Sequence, residues 1–219
     1  MGRLATLALA VMALGGTLNA GVIVYDNLSG TPLSNTEKVT SLPTLPSPPP
    51  NYGPLYNSFS TLPVAGGTLG EVVLDIYAIN PSDGATTVAG LYANNSGAPG
   101  ALVATVGTIA DSGIASTYTD YTFHPASGIA LSPGATYWIG LSSTSSADSV
   151  VWAMTGYSAG TGLSGQHYKD AVFGVKPDYP LFEMQVQENT TPEPGGYAIL
   201  AFAIIALAEA KRRRGAARM

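Results

Sequence analysis

Residues 71–79 read EVVLDIYAI and alternate with a period of two. Val72, Leu74, Ile76 and Ala78 point one way and Val73, Asp75, Tyr77 and Ile79 the other, the geometry of a strand rather than a helix. Both sets are largely apolar, so this strand is expected to be covered on both faces. Similar short runs recur between Gly, Pro, Asn and Ser clusters, and no stretch of the body keeps a helical period. Strands are predicted at Val22–Asp26, Leu55–Thr61, Glu71–Ile79, Thr86–Ala93 and Leu102–Ile109. Further ones are predicted at Tyr121–His124, Thr136–Ser142, Ser149–Thr155 and Leu181–Val186. Asn94–Gly100 carries turn residues at nearly every place. The expected fold is all-β, an antiparallel β-sandwich of jelly-roll-like character.

The chain has 219 residues and no cysteine. One domain without disulfides must hold itself together by its core, and a chain of this size buries roughly two thirds of its surface on folding. Thiol catalysis and cysteine metal sites are excluded.

Both ends read as addresses. Arg3 precedes the apolar run Leu4–Leu14 and small residues reaching Ala20, which fits a signal peptide over 1–20, removed by signal peptidase after Ala20. An N-terminal core strand or helix is the competing reading. The body, 21–188, contains a Pro-rich excursion at 42–50, LPTLPSPPP, where missing N–H groups break any ladder.

The final segment, 189–219, holds Pro192-Glu193-Pro194, the apolar run Tyr197–Ala208 and the cations Lys211, Arg212, Arg213 and Arg214. Twelve apolar residues make about 18 Å of helix, short of a hydrocarbon core of about 30 Å. On length alone a buried core helix is the better fit, but the order of Pro-rich break, apolar run and cation cluster points away from it. In a membrane, Lys211 would snorkel and the basic cluster would stay on the cytoplasmic side.

Charge narrows the partners. Between residues 21 and 194 three lysines face thirteen carboxylates, a balance of −10. Such a surface repels phosphate backbones, and nucleic acid is excluded.

Two resemblances add to this reading. YDNLSG (Tyr25–Gly30), PLYNSFST (Pro54–Thr61), VAGLYANNSGAPGALVATV (Val88–Val106) and IALSPGATYWIGLSS (Ile129–Ser143) together resemble the choice-of-anchor ectodomains of bacteria, type R. That family implies a β-sandwich on the cell surface and leaves activity open. The tail resembles the PEP-CTERM sorting signal. The resemblance implies that Pro192, Glu193 and Pro194 are read by an exosortase-type transpeptidase while Tyr197–Ala208 serves as a transient membrane anchor. It also implies a surface or matrix role in organisms that make exopolysaccharide.

Other chemistry is thinly supported. Gly156-Tyr157-Ser158-Ala159-Gly160 spells GxSxG, but a glycine-rich stretch follows where a helix should start, and only His167 lies downstream. His124 and His167 lack a second ligand at metal spacing, and Asp111, Asp120, Asp148, Asp170 and Asp178 are scattered. No catalytic, cofactor or metal residue is assigned. Carbohydrate binding is the alternative function. Its candidate stacking residues are Trp138, Trp152, Tyr157 and Tyr168, set against the tendency of strand aromatics to be core. Sequons at Asn27, Asn94 and Asn189 are read as accidental.

Overall fold

A computed structural model describes residues 20–28, 32, 37–39, 54–63, 67–144, 150–155, 162, 167–168 and 181–190. Nearly all of them belong to the compact unit Gly21–Asn189. The protein is all-β, and every strand pair whose register is resolved is antiparallel.

The strands in chain order are β1 (Ala20–Asp26), β2 (Glu37–Val39), β3 (Leu55–Ser60), β4 (Gly67–Ala78), β5 (Thr86–Asn95), β6 (Ala98–Ala110) and β7 (Thr119–Phe123). They continue as β8 (Ile129–Leu131), β9 (Thr136–Ser143), β10 (Val150–Trp152), β11 (Met154–Thr155), β12 (His167–Tyr168), β13 (Leu181–Phe182) and β14 (Met184–Thr190). A seven-stranded sheet runs β1-β14-β4-β10-β2, with β7 and β8 also paired to β4. A five-stranded sheet runs β12-β3-β9-β5-β6, and β11 and β13 form a short ribbon.

The alternation in EVVLDIYAI has its predicted consequence. Val72, Leu74, Ile76 and Ala78 join a core cluster that also takes Leu55, Phe59, Ala89, Leu91, Ile139 and Leu141 from the five-stranded sheet. On the other face Val73 and Asp75 are buried as well, whereas Ile79, just past the strand, is exposed. Two buried amides are tied into this core, although Asn57 Oδ1 is left without a partner. Asn57 Nδ2 donates to Tyr25 Oη and to the Phe182 carbonyl, each at 3.1 Å, and Asn27 Nδ2 donates to that carbonyl at 2.9 Å. Met184 N–H donates to Asn27 Oδ1 at 2.8 Å. This network joins β1, β3 and the entry to β14, and buried amides of this kind fix register because a slip would leave them unpaired.

Three differences from the sequence reading have physical causes. The turn predicted over Asn94–Gly100 shrinks to Ser96-Gly97, with φ of 53° and 86°. Positive φ at both central residues makes a two-residue hairpin whose twist matches the strands, so pairing extends through Asn95 and Ala98. The runs Ser149–Thr155 and Leu181–Val186 are each broken in two, at Ala153 and Glu183, where the chain passes between sheet and ribbon. The strands β2, β8 and β12 have only two or three residues and too little pattern to be read. The leader, the Pro-rich excursion at 42–50 and the apolar segment Tyr197–Ala208 lie outside the described residues.

Gly140 on β9 has a local reason to be glycine. A Cβ there would lie 2.5–2.7 Å from ring atoms of Tyr92 and Tyr56, which meet edge to face at 5.1 Å. Gly140→Ala must push this pair apart and is expected to destabilise the domain by about 1–3 kcal/mol, the usual range for overpacking. Urea unfolding followed by tryptophan fluorescence measures it.

Candidate functional site

On the face of β4 turned away from the core, the chain brings carboxyl groups together at a seam between strands. Asp75 pairs in register with Asp120 of β7. On the other edge of β4, Ala153 N–H donates to the Asp75 carbonyl at 2.9 Å, and Glu183 N–H donates to the Ala153 carbonyl at 2.8 Å. Asp75 N–H reaches the Glu183 carbonyl at 3.4 Å. The two chain breaks thus meet at Asp75, and Glu183 is delivered beside it. Trp152 closes the seam from within. Its Nε1–H donates to the Glu183 carbonyl at 2.8 Å, and its ring stacks on Phe182 at 4.6 Å.

The electrostatics follow from burial. Asp75 is 6% exposed and Glu183 1%. Burial, then the neighbouring carboxylates of Glu183 and Asp120, then a hydrogen bond shared with Glu183, push the Asp75 carboxyl up to about 7. A backbone hydrogen bond from Thr119 opposes this only in part. Asp75 Oδ1 is buried without a hydrogen-bond partner. Tyr118 covers the cluster and meets Tyr77 edge to face at 4.7 Å. Burial, with Tyr77, Asp75 and Glu183 adding, raises its phenol to about 12. Burial and the acids around it keep the proton on Asp75 close to neutral pH. Asp75 and Glu183 are both buried here, and the seam is a proton-binding joint.

A signal for Asp75 was present in the sequence, as the charge in the middle of EVVLDIYAI, on a strand expected to be covered on both sides. Glu183 in LFEMQV is a second charge inside an apolar run. Their meeting depends on a crossing of strands that local pattern does not encode.

The residues singled out from sequence lie elsewhere. Trp138 and Trp152 are both fully buried, so neither offers a ring face to a sugar. Trp138 Nε1–H donates to Asn94 Oδ1 at 3.0 Å, which draws that indole into the sheet. Tyr168 lies on β12, where its backbone pairs with Tyr56, and His167 pairs with Asn57. Tyr157 and Ser158 lie outside the described residues, as do Pro192, Glu193, Pro194, Lys211, Arg212, Arg213 and Arg214. His124 Nδ1 stands 3.9 Å from Glu71 Oε2 at the surface. Asn27 is 1% exposed and bonded through both side-chain atoms, so its sequon is closed to modification in the folded domain.

Among the described residues no group of three or more His, Cys, Asp or Glu side chains could hold a metal ion, and no helix is long and apolar enough to cross a membrane. No family model matches the chain, and no curated protein matches it.

The raised carboxyl sets a direction for pH dependence. Asp75 binds its proton more tightly folded than unfolded, so its contribution to stability is fullest below about pH 4 and is lost as pH rises to about 7. Asp75→Asn keeps the shape without the charge. It is expected to flatten the stability profile between pH 4 and 8 and to stabilise the domain at pH 8 by about 1–3 kcal/mol. Denaturant unfolding across that pH range checks both the sign and the size.

Proposed function

We propose that this chain is an exported surface or extracellular-matrix protein with a non-catalytic β-domain and a disposable C-terminal handle. The order Pro192-Glu193-Pro194, apolar run, four cations carries the reading. The fold gives it room. The compact unit runs from Gly21 to Asn189, just after the leader and just before the triplet, so processing at either end would leave its core intact.

In this reading signal peptidase cuts after Ala20, Tyr197–Ala208 holds the chain at the membrane for a time, and an exosortase-type enzyme acts at the triplet. The body is then a β-sandwich of jelly-roll-like character. A single apolar cluster built from both large sheets supports that architecture. The net charge of −10 over residues 21–194 keeps it soluble among acidic polymers, and contact with exopolysaccharide belongs to the same reading. A dedicated sugar-binding module is less well supported, since both tryptophans are committed to the interior.

Intact-mass measurement of protein recovered from the cell surface tests the proposal. The expected mass lacks 1–20 and the basic tail Lys211–Arg214, and Glu193→Ala leaves a heavier form in the membrane fraction. Surface protein that retains residues 195–219 overturns it.

A further inference from the structure

Two carboxylates, each with a buried and unpartnered oxygen, meet where β5 begins and β6 ends. Thr86 and Ala110 form the outermost regular pair of these strands. Just beyond them, Asp111 N–H donates to the Ala85 carbonyl at 3.0 Å. In a regular antiparallel pair, Ala85 N–H would return to the Asp111 carbonyl. It donates instead to Asp83 Oδ1 at 2.9 Å, and the Asp111 carbonyl accepts Ile114 N–H at 3.0 Å. Gly84, with φ of 73°, supplies the turn that brings Asp83 back onto its own strand. The Asp83 carboxylate therefore takes the place at Ala85 that the Asp111 carbonyl would fill. Two acids far apart in sequence become neighbours at this corner of the five-stranded sheet.

Each carboxylate is only half satisfied. Asp111 is 0% exposed; its Oδ1 accepts the Thr87 hydroxyl at 2.7 Å, and its Oδ2 has no partner. Asp83 is half-buried as a residue, yet its Oδ2 is shielded from solvent and is also without a partner. Neither acid has an ion-pair partner among the described residues. A buried anionic oxygen left bare is costly, and in native folds such groups are paired or coordinate a metal.

We propose that Asp83 and Asp111 hold a calcium ion between the start of β5 and the end of β6. The pair is smaller than the three-acid groups absent from the described residues, and calcium does not need a third acid. It takes oxygen ligands in an irregular shell, with backbone carbonyls and water filling the places that carboxylates leave. Magnesium asks for a near-ideal octahedron and gives up its water reluctantly, so two loops of different shape favour calcium. The ion would clip the connection before β5 to the short 3-10 turn Asp111–Gly113 and close the open end of the β5–β6 hairpin. A chain without cysteine gains from it a cross-link that no disulfide supplies. This inference uses the domain alone and does not depend on the reading of the tail.

Equilibrium dialysis of the full-length chain against radioactive calcium, after EGTA treatment, tests the site, with thermal unfolding followed alongside. About one ion per chain is expected, with a Kd on the order of 10⁻⁴–10⁻³ M, the range of extracellular calcium modules. Calcium at ten times that Kd is expected to raise Tm by roughly 3–6 °C. Asp111→Asn and Asp83→Asn are expected to lose the uptake, whereas Asp120→Asn, at an exposed acid of β7, retains it. Asp83→Asn is the decisive variant, because an amide oxygen keeps the bond to Ala85 N–H and so the shape of the loop. No uptake by the folded parent chain at about 10 Kd of the expected range overturns the proposal. Uptake undiminished in both site variants overturns it as well, by placing the ion elsewhere. Equal displacement by magnesium overturns the choice of ion.

Discussion

Strand β4 has partners along both edges and covered side chains on both faces, and the rest of the seven-stranded sheet is placed by that fact. Its twelve residues meet β7 and β8 on one edge and β10 and β14 on the other. One face supplies Val72, Leu74, Ile76 and Ala78 to the core. A chain without disulfides has no covalent way to hold sheets in register, so packing along this strand carries that task. The buried amides of Asn27 and Asn57 add specificity, because their partners exist in only one register.

This central strand was also the most legible part of the sequence, and for the same reason. A period of two is imposed by a surface that is buried, and where burial is deep on both sides the pattern is strong over many residues. The pattern fades where pairing is short or borrowed. Ile129–Leu131 is a strand because Gly67–Leu69 offers it an edge, and nothing in IAL itself demands it. Ala153 and Glu183 interrupt runs that look continuous, because the chain changes partners there and apolarity is unaffected by the change. The tryptophans show the converse. Trp138 and Trp152 invite a surface role by residue type, yet each has an indole N–H that finds a protein acceptor, Asn94 Oδ1 and the Glu183 carbonyl, which removes the penalty of burying it.

The carboxyl seam belongs to the class of features that a sequence marks without explaining. Asp75 in EVVLDIYAI breaks a local rule, and such breaks are where strain or function is to be found. The cost is evident in the structure. Two acids under 10% exposed sit side by side, with a carboxylate oxygen left unpaired. A proton retained near neutral pH removes most of that cost, because a neutral carboxyl donates to its neighbour where an ionised one would repel it. The joint between β4, β10 and β14 is thus held partly by a titrating group, and its strength follows the acidity of the surroundings.

The same geometry makes the last strand a central one. Strand β14 begins at the seam, beside Glu183, and ends beside Gly67. It lies between β1 and β4, an interior position with neighbours on both edges. Met184, Val186 and Glu188 are buried along it. Its backbone is therefore paired on both sides, where an edge strand would be paired on one. The proton-binding seam stands at the start of this strand, so the acidity of the medium acts on an element paired along both edges.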